Sequence, residues 1–225
     1  MFFHERLKHI SKTDRVLEIG PGGSPHSRSD VFLEMKFSDE AEESVQRSHC
    51  EPLKTEKPVF YYDGTTFPFS DNEFDYIICA QVLEHVNDVE LFLKELQRVG
   101  RKGYIEFPTI YYDYLYDMPT HINFLLYDKD TIFYLKKCDS GLDKFENVTG
   151  FFRNTLELRY THLIKYLKNY FFQGFEWIDI IKFEKATDLR SVTYDLRELD
   201  LKKFSKNNEN KILREIKRCL GRVGI

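Results

Sequence analysis

A chain of 225 residues fits one domain with additions, or two small ones, at roughly 100–200 residues per domain. With 42% hydrophobic and 31% charged residues it can build a sizeable core, which excludes global disorder; a net charge of −4 excludes a globally basic nucleic-acid binder. No run approaches the ~18 apolar residues of a membrane span, and Met1–Arg6 meets charge at once without an apolar leader core, so a cytoplasmic location is expected.

The first clear element is Arg15–Ile19, a short β-branched run that reads as a buried strand ending at Gly20. The loop Gly20-Pro21-Gly22-Gly23-Ser24-Pro25 cannot be helix. Val31–Glu34 reads as a second strand, Ser38–Arg47 as a short surface helix, and Val59–Tyr62 as a third strand stopped by Asp63-Gly64. Phe74–Ala80 is a fourth strand, apolar at its centre as a strand covered on both faces would be. Asp88 is placed to cap a helix over Val89–Val99, where Val89, Phe92, Leu93, Leu96 and Val99 recur at helical spacing. Tyr104–Phe107 is a fifth strand ended by Pro108.

The second half is aromatic. Tyr111 to Tyr116 is rich in tyrosine, Asn123–Tyr127 and Thr131–Leu135 read as a β-hairpin, and Thr155–Phe172 reads as one helix with Leu156, Leu163, Ile164 and Leu167 as core contacts. Phe175–Glu184 reads as one strand with Ile178, Ile180 and Ile181 as its apolar part. Residues 201–225 hold eight Lys/Arg against two Glu, a basic tail on an acidic body. There Ile212, Ile216, Cys219 and Val223 recur at helical spacing. Such a helix either docks on its own domain or contacts an anionic membrane surface or a partner. Cys50, Cys79, Cys138 and Cys219 show no Cys-x-x-C pairing and no histidine at zinc-finger spacing, so neither a metal site nor a disulfide framework is expected.

Strands alternating with helix or loop over the first 108 residues imply an α/β fold with an open, mostly parallel sheet, whose ligands bind beyond the C-terminal strand ends. Gly20, Glu34, Asp63, Ala80 and Pro108 all fall there. The glycine loop is either a tight turn or a place where backbone approaches a ligand. Glu34 and Asp63 are either turn residues or acceptors for a ribose diol and an adenine amino group; together, at successive strand ends, they outline an adenosine site.

These segments resemble the class I S-adenosylmethionine (SAM)-dependent methyltransferases, and specifically the type 11 methyltransferase domain. Glu18-Ile19-Gly20-Pro21-Gly22-Gly23-Ser24 is similar to that family's acid-x-Gly-x-Gly-x-Gly motif, with serine in place of the last glycine. Asp63 to Phe69 resembles its acid-x-x-x-x-Pro-Phe segment, Phe74 to Val86 its fourth-strand motif, and Arg98 to Ile105 the passage from helix to fifth strand. The resemblance covers roughly residues 14–108. It implies a Rossmann-like sheet of seven strands in a domain over residues 1–190, with a variable acceptor-side insertion near 109–173 and a basic helical tail over 191–225. The gap between Gly20 and Glu34 is short for the family and leaves room only for a turn where the first helix would stand. A bacterial subgroup with this shortening is associated with surface-glycan biosynthesis, which implies a glycan or small-molecule acceptor.

The resemblance also assigns roles. Gly20, Gly22 and Glu18 would lie along the methionine part of SAM, with Glu18 near its amino group. Glu34 would take the ribose hydroxyls, Asp63 the adenine amino group and the Gly64 backbone a ring nitrogen. Ala80 and Gln81 would line the sulfonium end. Transfer to oxygen needs a proton removed, and His85 and His121 are the candidate bases; each also reads as a packing or loop histidine. Glu84 either orients His85 or faces water, and Tyr111, Tyr112 and Asp113 either line the acceptor pocket or pack the core. A nicotinamide-dependent oxidoreductase fits less well, because Pro25 stands where its third glycine belongs and Glu34 comes too early. A SAM-binding scaffold without activity is the alternative outside enzymes. The acidic body, and the absence of an Asn-Pro-Pro-Tyr-like segment after the fourth strand, disfavour a nucleic-acid substrate.

Overall fold

The computed structural model describes residues 1–37 and 53–196. The expected surface helix over 38–47 and the basic helix after residue 206 lie outside the described residues. Met1–Val192 forms one compact unit; a second unit, Thr193–Ile225, is described only over its first four residues.

The main sheet contains β1 (Val16–Ile19), β2 (Val31–Met35), β3 (Val59–Tyr62), β4 (Tyr76–Ala80), β5 (Lys102–Pro108) and β8 (Phe172–Ile178), in the order β3-β2-β1-β4-β5-β8. The first five run parallel and β8 closes the edge antiparallel to β5. Six strands among the described residues therefore stand where seven were expected. The hairpin β6 (Asn123–Asp128) and β7 (Thr131–Lys136) instead joins β9 (Lys182–Lys185) in a separate three-stranded sheet, order β6-β7-β9.

The sequence dictates the layering by simple alternation. Leu17 and Ile19, Ile77 and Cys79, Ile105 and Phe107 point to one face, where helix α1 (Val89–Val99) packs through Phe92, Leu93 and Leu96. Val16, Tyr76, Ile78 and Tyr104 point to the other, where they meet Phe3, Tyr112, Tyr116 and Phe171. Both faces are covered, as continuous apolar strands require. Asp88 caps α1 as its position predicts: its Oδ1 accepts a hydrogen bond from Leu91 N at 2.9 Å. Asp88→Ala is expected to cost about 1 kcal/mol, read as a lower urea midpoint with an unchanged slope.

Two predicted elements are broken in the structure. The single helix expected over Thr155–Phe172 is two, α3 (Glu146–Glu157) and α4 (His162–Phe171), and the aromatic stretch before the hairpin forms a short helix, α2 (Ile110–Tyr116), numbered here in chain order. The break falls at Arg159, whose φ of 60° is left-handed and stops a helix. Leu163 is exposed rather than a core contact, while Leu156, Ile164 and Leu167 pack partly against the second face. The strand expected over Phe175–Glu184 likewise splits at Asp179, φ 59°, into β8 and β9 in different sheets. Of its three isoleucines only Ile181 is buried; Ile178 and Ile180 face outward. Among the described residues, no helix is long and apolar enough to cross a membrane.

Candidate active site

The parallel order reverses between β1 and β4, which opens a crevice at their C-terminal ends. The chain turns sharply there. Gly20 and Gly22 adopt φ of 58° and 56°, and Gly20 N donates to Leu33 O at 2.9 Å, tying the loop to β2. A Cβ on Gly20 would stand 2.8 Å from Val82 Cγ2, whereas one on Gly22 would meet nothing within 4 Å. Both positions need glycine for their left-handed backbone; a neighbour also crowds the first, whereas the second borders open space. No helix follows before β2, in keeping with the short gap.

Glu18 is buried at the end of β1. Its Oε2 accepts from His26 N at 2.8 Å and Ser29 Oγ at 2.6 Å, so this acid shapes the loop behind the glycines. Burial raises its pKa, while the bonds from Ser29 and His26 and the nearby chain-terminal ammonium pull the other way. Glu34 is buried in β2, paired in register with Tyr61 of β3. Asp63, just past β3, is exposed; its Oδ1 accepts from Thr65 Oγ1 at 2.6 Å and Thr65 N at 3.1 Å, and these bonds lower its pKa. Gly64 follows with φ of 91°. Ala80 ends β4, and Gln81 turns the chain with φ of 60°, an uncommon conformation for a side-chain-bearing residue. All the strand-end residues expected from sequence thus border one side of the sheet.

Two acids that sequence reasoning left without a role prove central. Glu106, buried in β5, accepts four hydrogen bonds: Phe2 N at 2.7 Å and Gln81 Nε2 at 3.1 Å on Oε1, Phe3 N at 3.0 Å and Tyr104 Oη at 2.6 Å on Oε2. Gln81 N also donates to Glu106 O. One carboxylate thus fixes both the crevice turn and the first residues of the chain, which lie along β5 and β8 with Phe2 stacked on Phe172. Asp113, buried in α2, holds His121: the two are joined by a 2.6 Å hydrogen bond through Nδ1.

The two candidate bases come together. His85 closes the turn Leu83–His85 after β4, and its ring meets that of His121 edge-on with centroids 4.7 Å apart. His85 Nδ1 bonds Thr120 O at 3.0 Å, which ties it to the segment before the hairpin. Burial, then the neighbouring His121, pushes its pKa down to about 4, which leaves it neutral and weakly basic. Burial would also lower His121, but the charge and hydrogen bond of Asp113 carry its pKa above the ordinary value. Glu84 does not face water; it is fully buried beside the pair, and burial pushes its pKa up to about 8 against the pull of His121.

This sheet order, with a glycine loop and successive acids at its switch point, resembles that of the class I SAM-dependent methyltransferases. Residues 17–105 match the family model of the methyltransferase domain, type 11. An uncharacterized methyltransferase of Schizosaccharomyces pombe is 35% identical over 43% of this chain and 40% of its own length, so the chain spans well under half of that relative. Solved structures give low overall superposition. The PH0226 protein of Pyrococcus horikoshii has a TM-score of 0.37 at 21% identity, covering 58% of this chain and 66% of that one. A SAM-dependent methyltransferase of Methanosarcina mazei has 0.36 at 19%, covering 56% and 71%. The cofactor that this resemblance implies is SAM, and the site's features are compatible with it: left-handed backbone bordering open space, with two acids at the neighbouring strand ends.

Proposed function

We propose that the protein transfers the methyl group of SAM to an oxygen atom of a small-molecule or glycan acceptor. One observation carries the reading: the left-handed Gly20–Gly22 turn, Glu34, Asp63 and Gln81 all border the C-terminal edge of the sheet at its switch point. When bound, SAM supplies a methyl group already activated by its sulfonium charge, so positioning does most of the work. Gly20 and Gly22 let the backbone approach the methionine portion. Glu34 accepts from the ribose hydroxyls, and Asp63 from the adenine amino group with the Gly64 backbone beside it. Ala80 and Gln81 line the sulfonium end, with Gln81 fixed by Glu106. Glu18 acts through the loop it holds rather than on the amino group directly. The acceptor enters on the side of His85, His121 and the aromatic α2, its oxygen against the two imidazoles.

Calorimetric titration tests this. Wild-type protein is expected to bind SAM at one site, and Glu34→Ala to lose at least tenfold in affinity, about the 1.4 kcal/mol of one charged hydrogen bond. Asp63→Ala loses a similar amount. Folded wild-type protein that takes up no SAM would sink the reading in favour of a scaffold without activity.

A further inference from the structure

Glu84 poses an electrostatic problem that the reading above leaves unsolved. It is fully buried, and neither Oε1 nor Oε2 has a hydrogen-bond partner. A buried carboxylate without a donor is costly, and such a group is ordinarily found paired or bound to a cation. Around it the polar groups bond the backbone: Asn123 Nδ2 donates to Leu83 O at 3.0 Å and Val86 O at 2.8 Å, and Ile122 N donates to Glu84 O at 2.8 Å. Those same bonds lock the Leu83–Val86 turn against the 120–123 segment, so the carboxylate is held in place on a rigid frame.

What Glu84 faces is a pair of imidazoles already set as ligands. His85 directs Nδ1 to Thr120 O and His121 directs Nδ1 to Asp113 Oδ1, which in neutral rings leaves each Nε2 with its lone pair available. A backbone carbonyl behind one histidine and a carboxylate behind the other are the usual outer partners of metal-bound imidazoles. Glu84 Oε1 lies 4.0 Å from His85 Nε2, and the three candidate ligand atoms all lie within 4.8 Å of one another. Tetrahedral ligands at ~2.0 Å bonds stand roughly 3.3 Å apart, so the three atoms would draw in by about 1.5 Å at most on taking up an ion.

We propose that Glu84, His85 and His121 bind one divalent transition-metal ion, of the zinc and cobalt class that two imidazoles and one carboxylate select, with its open position on the partly exposed His85 side. A part of the inference rests on the methyl-transfer reading: the open position takes the acceptor hydroxyl. An ion held there would polarise that oxygen, so that its O–H proton could pass to solvent water while the electron pair attacks the SAM methyl carbon and the C–S bond breaks, its electrons leaving on the neutral thioether sulfur.

The test uses the full chain stripped with a chelator and titrated with Co2+, followed by its visible d–d absorption, then with competing Zn2+. Wild type is expected to take one equivalent of Co2+, Zn2+ to displace it, and Zn2+ to raise the thermal midpoint of the folded protein. Glu84→Gln and His85→Asn are each expected to lose the saturable visible signal. Asp113→Asn should weaken binding about 10–100-fold. Glu84→Gln keeps the side chain's size, and His85 is partly exposed, so one of the two variants remains informative if the other misfolds. A folded wild type without stoichiometric Co2+, or an unchanged spectrum in the folded variants, overturns the proposal. SAM titration in chelator separates the readings: SAM binding without metal uptake leaves only the methyl-transfer reading, and metal uptake without SAM binding leaves only the ion site.

Discussion

Replacing Glu106 by alanine is expected to destabilise the folded chain by about 4 kcal/mol, the range for breaking a buried charged hydrogen-bond cluster. The four donors that converge on its carboxylate come from three places: the first residues of the chain, the crevice turn at Gln81 and the neighbouring Tyr104. Alanine would leave the Phe3 amide and the Tyr104 hydroxyl stranded in a fully buried setting, and such desolvated groups dominate the loss. For a chain of this length the thermal midpoint should fall by roughly 8–16 °C. Glu106→Gln keeps the shape and one acceptor oxygen, so about half the loss is expected. A change below 1 kcal/mol in Glu106→Ala, measured by urea unfolding, would mean that the amino-terminal residues are not fastened there. Because Gln81 shares the carboxylate, SAM affinity should weaken in the same variant even at temperatures where it is fully folded.

This dual attachment separates two kinds of site residue. Under the proposed function, Glu34, Asp63 and the glycines act where the ligand would lie. Glu18 and Glu106 act one layer behind, Glu18 through Ser29 and His26, Glu106 through Gln81 and Phe2. The family resemblance expects Glu18 near the cofactor's amino group; its Oε2 is bonded to His26 and Ser29 of the loop. Asp63 similarly spends one oxygen on its own turn with Thr65. Its exposure leaves the rest of the carboxylate reachable from solvent.

The sheet was legible because its parallel strands are buried on both faces and so read as unbroken apolar runs between glycine, proline and acid. The cap at Asp88 and the hairpin after it were legible for equally local reasons. The two missed boundaries, at Arg159 and Asp179, share one cause. Each is a side-chain-bearing residue in the left-handed region, and no glycine or proline advertises the turn. The missed acids share another. Glu106 and Asp113 sit in apolar stretches, and their importance lies in partners such as Phe2, Gln81 and His121. The Glu84–His85–His121 grouping hides in the same way. Two of its members are adjacent, the third is 36 positions on, and the Asn123 and Ile122 hydrogen bonds that unite them leave no trace in spacing.

The glycine loop gives the second large effect, and it separates a structural role from a ligand-facing one. Gly20→Ala places a methyl 2.8 Å from Val82 Cγ2 on a backbone of φ 58°, so it adds a steric clash to the ~1–2 kcal/mol of left-handed strain. Its expected cost is about 3 kcal/mol, with SAM affinity falling because the turn and Val82 must shift. Gly22→Ala carries the same strain at φ 56° but meets no protein atom within 4 Å. It should cost only about 1 kcal/mol of stability, yet lose at least tenfold in SAM affinity, since its methyl enters the space the proposed methionine portion fills. Paired urea unfolding and calorimetry on the two variants measure both quantities. If Gly22→Ala binds SAM as wild type does, the open space beside Gly22 is not where the cofactor lies, and the methionine portion must be placed nearer Gln81. If it binds weakly while folding normally, Gly22 serves the ligand as well as the left-handed turn.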